Sequence, residues 1–208
     1  MHKSDFSGGI IGYIGISFLQ LILIVFTLGL LAPYAICIKE KWLAKHTRID
    51  WKQVHFDGKG DDLLSVYVKD YLLTIITLGI YAYWNKINVR SFTVKHTYTE
   101  KVKQEDHKES KFSGNGAEYF KKLFLWHVLA VLTLGIAAPC AICRTERYMA
   151  SHSVLNGRQV IFDGTVAQLF GNFVKWFFLT IITIGIYSFW IEIAYRTWLV
   201  RHTHLQEC

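Results

Sequence analysis

The chain has 208 residues and a formal net charge of +7; 52% of its residues are hydrophobic, 15% aromatic and only 19% charged. So few charges, below the usual quarter, exclude an ordinary soluble globular domain, and the long apolar runs exclude a soluble nucleic-acid binder as the reason for the basic excess. What remains is a chain whose positive charge faces the anionic inner side of a membrane, with aromatic residues suited to membrane–water interfaces.

The chain begins with a short polar stretch, Met1 to Gly9, and then a long apolar run, Ile10 to Ile38. No small-residue cleavage site follows, so the run reads as a retained membrane segment and not as a cleaved signal peptide. Phe6-Ser7-Gly8 opens this region, Gly29 interrupts it 23 residues after Phe6, and His46 stands 17 residues beyond Gly29. A second region opens at Phe56-Asp57-Gly58, breaks at Gly79 and ends at His96 with the same two intervals. The polar segment Tyr98 to Lys111 follows as a linker. A third region opens at Phe112-Ser113-Gly114 and runs through Gly135 to His152; a fourth opens at Phe162-Asp163-Gly164 and runs through Gly185 to His202. All the intervals agree to the residue. Chance does not produce this; the chain is built of repeats.

The copies alternate in type. Copies one and three share Ala-Pro (Ala32–Pro33, Ala138–Pro139) and a cysteine (Cys37, Cys143), while copies two and four share "LLTIITLGIYAYW" and "FLTIITIGIYSFW". Like copies lie 106 residues apart, so the chain is a tandem duplication with halves 1–104 and 105–208 around the linker 98–111.

Within one copy, glycine breaks or caps a helix because it reaches left-handed backbone angles without steric cost. Two readings follow: two helices folded back on each other, or one long kinked helix. Lys and Arg occur between all four apolar runs, and positive residues favour the cytoplasmic side. That favours hairpins, which keep every basic segment on one side. The expected fold is therefore an all-α integral membrane protein of four tandem helical-hairpin units in two duplicated halves, with short cytoplasmic β-hairpins between units. The second arms are too short for a full span of about 20 apolar residues. Lys86 comes seven residues after Gly79, or about 10 Å at the helical rise. Such arms face a watery cavity, lie at the interface, are re-entrant, or pack in an oligomer. Asn156–Gly157 is a two-residue hairpin turn, and Asp50–Trp51 occupies the same place. The Ser or Asp of each Phe-x-Gly is expected to cap the helix that follows.

At these residues the chain resembles the YjgN-like bacterial inner-membrane proteins, a family of unknown function. The resemblance is clearest at Phe56, Gly58, Gly79, Ile80, Tyr81, Trp84, Lys86, His96 and Thr97, and at Phe162, Gly164, Gly185, Ile186, Tyr187, Trp190, His202 and Thr203. The family pattern has Pro before the Trp, where this chain has Tyr83 and Phe189, and Lys where it has Glu192. The resemblance implies a multi-pass protein of the bacterial inner membrane and no particular reaction.

Charges inside apolar runs mark candidate sites. Lys69 and Asp70 lie in one such run, Lys175 is the repeat equivalent of Lys69, and Lys86 is the equivalent of Glu192. Two-fold symmetry would pair Lys86 with Glu192 and set the other two lysines along a polar path; the alternative is that Lys69 and Lys175 snorkel to the headgroups. The four histidines, His46, His96, His152 and His202, suggest a ligand set or pH sensor, against which each sits near a helix end and favours the dipole there. His127 is either a satisfied core residue or part of a proton relay. Cys140-x-x-Cys143 reads as packing more than as a metal or redox motif, and the cysteines form no secreted disulfide framework.

The leading functional expectation is a small transporter or channel-like protein for an ion or small solute, with Lys69, Asp70, Lys86, Lys175 and Glu192 along its path. The alternative is a non-transporting membrane scaffold, or a signalling, stress or defence effector, acting through a cytoplasmic protein partner. The basic aromatic second arms, such as "IKEKWLAKH", carry that alternative. No phosphate loop, dinucleotide fingerprint, H-E-x-x-H or nucleophile motif occurs, so no enzyme, cofactor or metal is expected. The expected partners are the anionic inner leaflet and further copies of the chain, with no nucleic acid. The expected location is the inner membrane, multi-pass, with basic segments cytoplasmic.

Overall fold

The computed structural model describes residues 4–99, 110–185 and 187–206. Most of the expected linker, at 100–109, lies outside the described residues. In chain order the elements are β1 (Asp5–Phe6), α1 (Ile10–Phe26), α2 (Ala32–Lys45), β2 (Thr47–Ile49), β3 (Lys52–Gln53), β4 (His55–Phe56), α3 (Gly60–Ile76), α4 (Ala82–Lys95), β5 (Thr97–Tyr98), β6 (Lys111–Phe112), α5 (Gly116–Leu132), α6 (Ala138–Ser151), β7 (Ser153–Leu155), β8 (Arg158–Phe162), α7 (Val166–Ile182), α8 (Ser188–Arg201) and β9 (Thr203–Leu205).

The break between the two helices of each unit is built the same way four times. The threonine at the end of the first arm donates its hydroxyl back to a carbonyl four residues earlier: Thr27 to Leu23 at 2.5 Å, Thr77 to Leu73 at 2.7 Å, Thr133 to Leu129 at 2.7 Å and Thr183 to Leu179 at 2.8 Å. The same oxygen accepts the N–H of Leu31, Tyr81, Ala137 or Tyr187 at the start of the second arm. The glycine N–H reaches back five residues, for example Gly135 to Ala130 at 2.7 Å and Gly185 to Thr180 at 2.7 Å. That is the 6→1 bond of a Schellman ending. Glycine usually fills the left-handed position of this motif. Here the position just before the glycine is also left-handed, and it is held by Leu28, Leu78, Leu134 and Ile184 at φ 49–51°.

Each unit is clasped at its other end. The strand that enters it pairs with the strand that leaves it, in one register: Phe6 opposite Thr47, Phe56 opposite Thr97, Phe112 opposite Ser153 and Phe162 opposite Thr203. The clasp explains the Phe-x-Gly signature. The phenylalanine ring folds back over the glycine towards an aromatic residue of the second arm; a Cβ on Gly164 would stand 2.4 Å from Phe162 and 2.8 Å from Trp198. The Ser or Asp of the motif does not cap the next helix. Its N–H donates to the histidine carbonyl, as Ser7 does to His46 at 2.9 Å. The N-caps fall two residues later, on Gly9, Lys59, Asn115 and Thr165.

Helices pack in a closed ring. Each second arm meets the first arm of the next unit, α2 on α3, α4 on α5 and α6 on α7, and α8 returns to α1. The seam is sealed by residues far apart in the chain: Ser4 Oγ donates to the Thr203 carbonyl at 2.7 Å, and the Leu205 N–H donates to Asp50 at 2.8 Å. The first of these contacts recurs 106 residues on, where Ser110 Oγ meets the Thr97 carbonyl at 2.8 Å. The main core, including Ile49, Val54, Leu155, Val160 and Trp198, lies at the strand end of the ring.

Two parts of the expected fold are corrected. The protein is not all-α, because among the described residues nine short strands clasp and connect the units as well as forming hairpins between them. Nor is it a bundle of membrane-crossing helices: among the described residues no helix is long and apolar enough to cross a membrane. The Thr-Leu-Gly or Thr-Ile-Gly ending stops every first arm at 17 residues, and each second arm has 14.

Gly164→Ala is expected to lower the midpoint of thermal unfolding, because overpacking of this kind costs about 1–3 kcal/mol. Gly171→Ala, in the interior of α7 where a Cβ meets nothing within 4 Å, should not lower the midpoint, because alanine favours a helix interior over glycine by roughly 0.5–1 kcal/mol.

Candidate functional site

Between the second arms and the strands lies a cavity of about 350 Å³ lined by all four units. The second arms meet it with equivalent positions. Eleven residues after each unit's glycine stand Glu40 on α2, Arg90 on α4, Glu146 on α6 and Arg196 on α8, and all four line the cavity. Charge therefore alternates around the ring. About one helical turn, or 5 Å, further along the arms, the lining includes Leu43, Val94, Met149 and Leu199, with Thr93 next to Val94. The cavity is charged towards the hairpin turns; towards the strands the side chains are apolar apart from Thr47, Thr97, Ser153 and Thr203, whose hydroxyls donate to carbonyls of their own chain four residues earlier.

The charges are not evenly matched. Arg196 Nε donates to Glu192 Oε1 at 3.3 Å. Burial alone would lower the Arg196 pKa, but the carboxylates of Glu40, Glu192 and Glu146 outweigh it and raise it. Lys39 Nζ adds a contact to Glu192 at 3.9 Å. Tyr195 donates its hydroxyl to Glu146 at 3.1 Å, and burial with that carboxylate pushes the phenol well above its ordinary range. Arg90 stands across the ring from Arg196, on the arm between those that carry Glu40 and Glu146. Its Nε is buried without a hydrogen-bond partner, and among the described residues it makes no ion pair. Thr145, 5% exposed, also lines the cavity with an unpartnered hydroxyl.

Of the residues marked in the sequence, Lys86 lines this cavity; it also stands over the Tyr119 ring at 5.7 Å. Glu192 does not pair with Lys86 but with Arg196 and Lys39. Lys69 and Lys175 are exposed and do not line the cavity. Asp70 is 2% exposed and accepts a hydrogen bond from Asn88 at 2.7 Å, between the arms of its own hairpin. The glycines Gly29, Gly79, Gly135 and Gly185 shape the turns and stand apart from the cavity. Arg90 and Glu146 were not singled out as site residues from the sequence. The signal existed: position eleven after the glycine is charged in all four copies.

The repeat histidines are each engaged by their own helix. Nδ1 of His46, His96, His152 and His202 meets the carbonyl four residues earlier at 2.8–3.0 Å, and each ring lies against the aromatic side chain of that same residue. They end helices at four separate places. Among the described residues no group of three His, Cys, Asp or Glu is placed to hold a metal ion. His127 likewise meets the Leu123 carbonyl at 2.7 Å and the Tyr83 ring edge-on.

A family model described as bacterial protein of unknown function (DUF898) matches residues 51–103 and 109–179, more than half of the chain. The chain belongs to this family. It is also similar to inner membrane protein YjgN of Salmonella typhimurium (strain LT2), with 29% identity over 75 residues. That alignment takes in 36% of this chain and 19% of the relative, so the match spans about a fifth of the relative's length. No solved structure matches the chain. The YjgN-like resemblance read from the repeat residues therefore stands.

Burial pushes the Cys143 thiol up to about 11. Below that pH it stays protonated, and the thiolate is the reactive form. Peptide mapping after iodoacetamide treatment at pH 8 should show Cys143 alkylated at least about 100-fold more slowly in folded than in denatured protein. Labelling of the folded protein should accelerate as pH rises towards 11.

Proposed function

We propose that this protein works at the bacterial inner membrane, seated in one leaflet by its four hairpin tips, and takes a small charged solute or ion into the cavity shared by its units. The observation that carries the seat is at the apices. Leu28, Leu78, Leu134 and Ile184 are 80–95% exposed and hold left-handed backbone angles. A non-glycine residue costs roughly 1–2 kcal/mol in that conformation. Glycine would be free of the cost, yet all four apices carry a large apolar side chain. Full burial of such a side chain contributes about 1.5–3 kcal/mol, so an apolar medium around the tips offsets the strain and water does not.

Charge supports the same placement. Lys69 and Lys175 stand ten residues before their glycines, roughly 15 Å along the helix. That is half of a hydrocarbon core about 30 Å thick. Both lysines are exposed, and at that depth they meet anionic headgroups. A seat one leaflet deep needs no crossing helix. The name of the Salmonella relative, an inner membrane protein, agrees with it.

The test is flotation of the reconstituted protein with vesicles containing phosphatidylglycerol. The parent protein is expected to float. A Leu28→Ser, Leu78→Ser, Leu134→Ser, Ile184→Ser variant with an unchanged circular dichroism spectrum is expected to lose vesicle binding by more than about tenfold. Equal flotation of that variant would overturn the seat. A seat in one leaflet offers no path across the bilayer, so the cavity shared by all four units is a binding site and not a channel. Saturable binding of small ions or solutes by the purified protein is expected, and absence of binding across a broad panel would sink the reading.

A further inference from the structure

We infer that the cavity is a site for a small anionic amphiphile, a single carboxylate or phosphate head on a short apolar body, with the Arg90 guanidinium as its anchor. The inference deepens the proposed function and rests on the cavity being the working site.

Three observations converge on it. The first is the sorting of charge. Arg196 is ion-paired to Glu192 at 3.3 Å, and the charges of Glu40 and Glu146 also favour its cationic form. Arg90 occupies the equivalent place across the ring without an ion pair among the described residues. A buried guanidinium nitrogen without a partner is costly, and a carboxylate or phosphate is the partner whose geometry matches it. The second is Thr145, which lines the same cavity from α6 with a buried, unpartnered hydroxyl. A free hydroxyl in the cavity supplies a further donor to an anionic oxygen. Lys86, one turn before Arg90 on the same helix and also at the cavity, adds positive potential. The third is the layering. The charged ring lies towards the turns, and Leu43, Val94, Met149 and Leu199 lie one turn deeper towards the strands. A head held at Arg90 therefore sends its body into an apolar chamber. A volume of about 350 Å³ lies at the lower end of small-molecule sites, which admits a short chain or one ring. A second charge on the ligand would lie in the apolar layer, and a cationic head would face Arg90.

The experiment is calorimetric titration of the amphipol-held protein, without vesicles, using hexanoate, hexyl phosphate, hexylammonium and inorganic phosphate. Saturable one-to-one binding of hexanoate and hexyl phosphate is expected. Arg90→Gln should weaken it by at least about tenfold, the change for one charge-assisted hydrogen bond. Thr145→Val should weaken it less, and Arg90→Lys should retain part of it with the spectrum of a folded protein. A parallel titration with dihexanoyl phosphatidate separates a lipid source of the phosphate head from a free alkyl phosphate. Tighter binding of the diacyl probe assigns the site to lipid, and exclusion of it assigns the site to free amphiphiles. Binding of hexylammonium that survives Arg90→Gln would overturn the anion assignment and leave a solute cavity standing. Inorganic phosphate binding as tightly as hexyl phosphate would overturn the apolar body. No binding of any probe would overturn this inference, while the membrane seat is read separately by flotation.

Discussion

A single threonine oxygen in each unit ties the end of one helix to the start of the next. It donates to the first arm and accepts from the second, as Thr183 does with Leu179 and Tyr187. Everything else depends on that fold-back. Because the second arm returns alongside the first, the entering and leaving strands of each unit meet and pair, always with phenylalanine opposite threonine or serine. Because each unit begins and ends in the same place, four of them can stand side by side, and the last can reach the first. The same turn limits each arm to 17 or 14 residues, so the device that builds the ring also keeps its helices shorter than a bilayer is thick.

Ring closure gives the equivalent positions of four units a shared interior, and identical units would place four like charges there. Such a cluster repels itself. The alternation Glu40, Arg90, Glu146, Arg196 avoids this, and it is available because the duplicated element is a pair of units and not a single one. The repeat of 106 residues keeps glutamates in copies one and three and arginines in copies two and four. The halves have since diverged at position seven after the glycine, where Lys86 stands in one and Glu192 in the other. Glu192 adds a third carboxylate around Arg196, whereas Lys86 adds a second cation beside Arg90. One small difference between the halves thus gives the two arginines of the ring different neighbours on their own helices.

Much of the architecture was legible in the sequence because it is local. The turn, the helix-ending histidines and the hairpin at Asn156–Gly157 are each made by residues within five positions of one another, and the identical intervals announce them. Histidines read as either a ligand set or helix ends proved to be engaged by carbonyls four residues away. The membrane-crossing helices were misread for a related reason. Apolar density is visible along a chain, but the point where Thr-Leu-Gly stops a helix depends on hydrogen bonds that density does not show.

The sequence by itself determined the repeat, the two-unit duplication and the family, since these reside in spacing and residue identity. It also determined that the turns would carry apolar residues. Only the tertiary structure decided which charges face inwards. Lys69 and Lys175, conspicuous in their apolar runs, are exposed, whereas Arg90 and Glu146, set among other polar residues, line the cavity. The reason is rotational. A helix presents a new face every hundred degrees, and the face turned to the interior is set by contacts between residues as distant as Ser4 and Thr203. Those contacts exist only once the ring has closed.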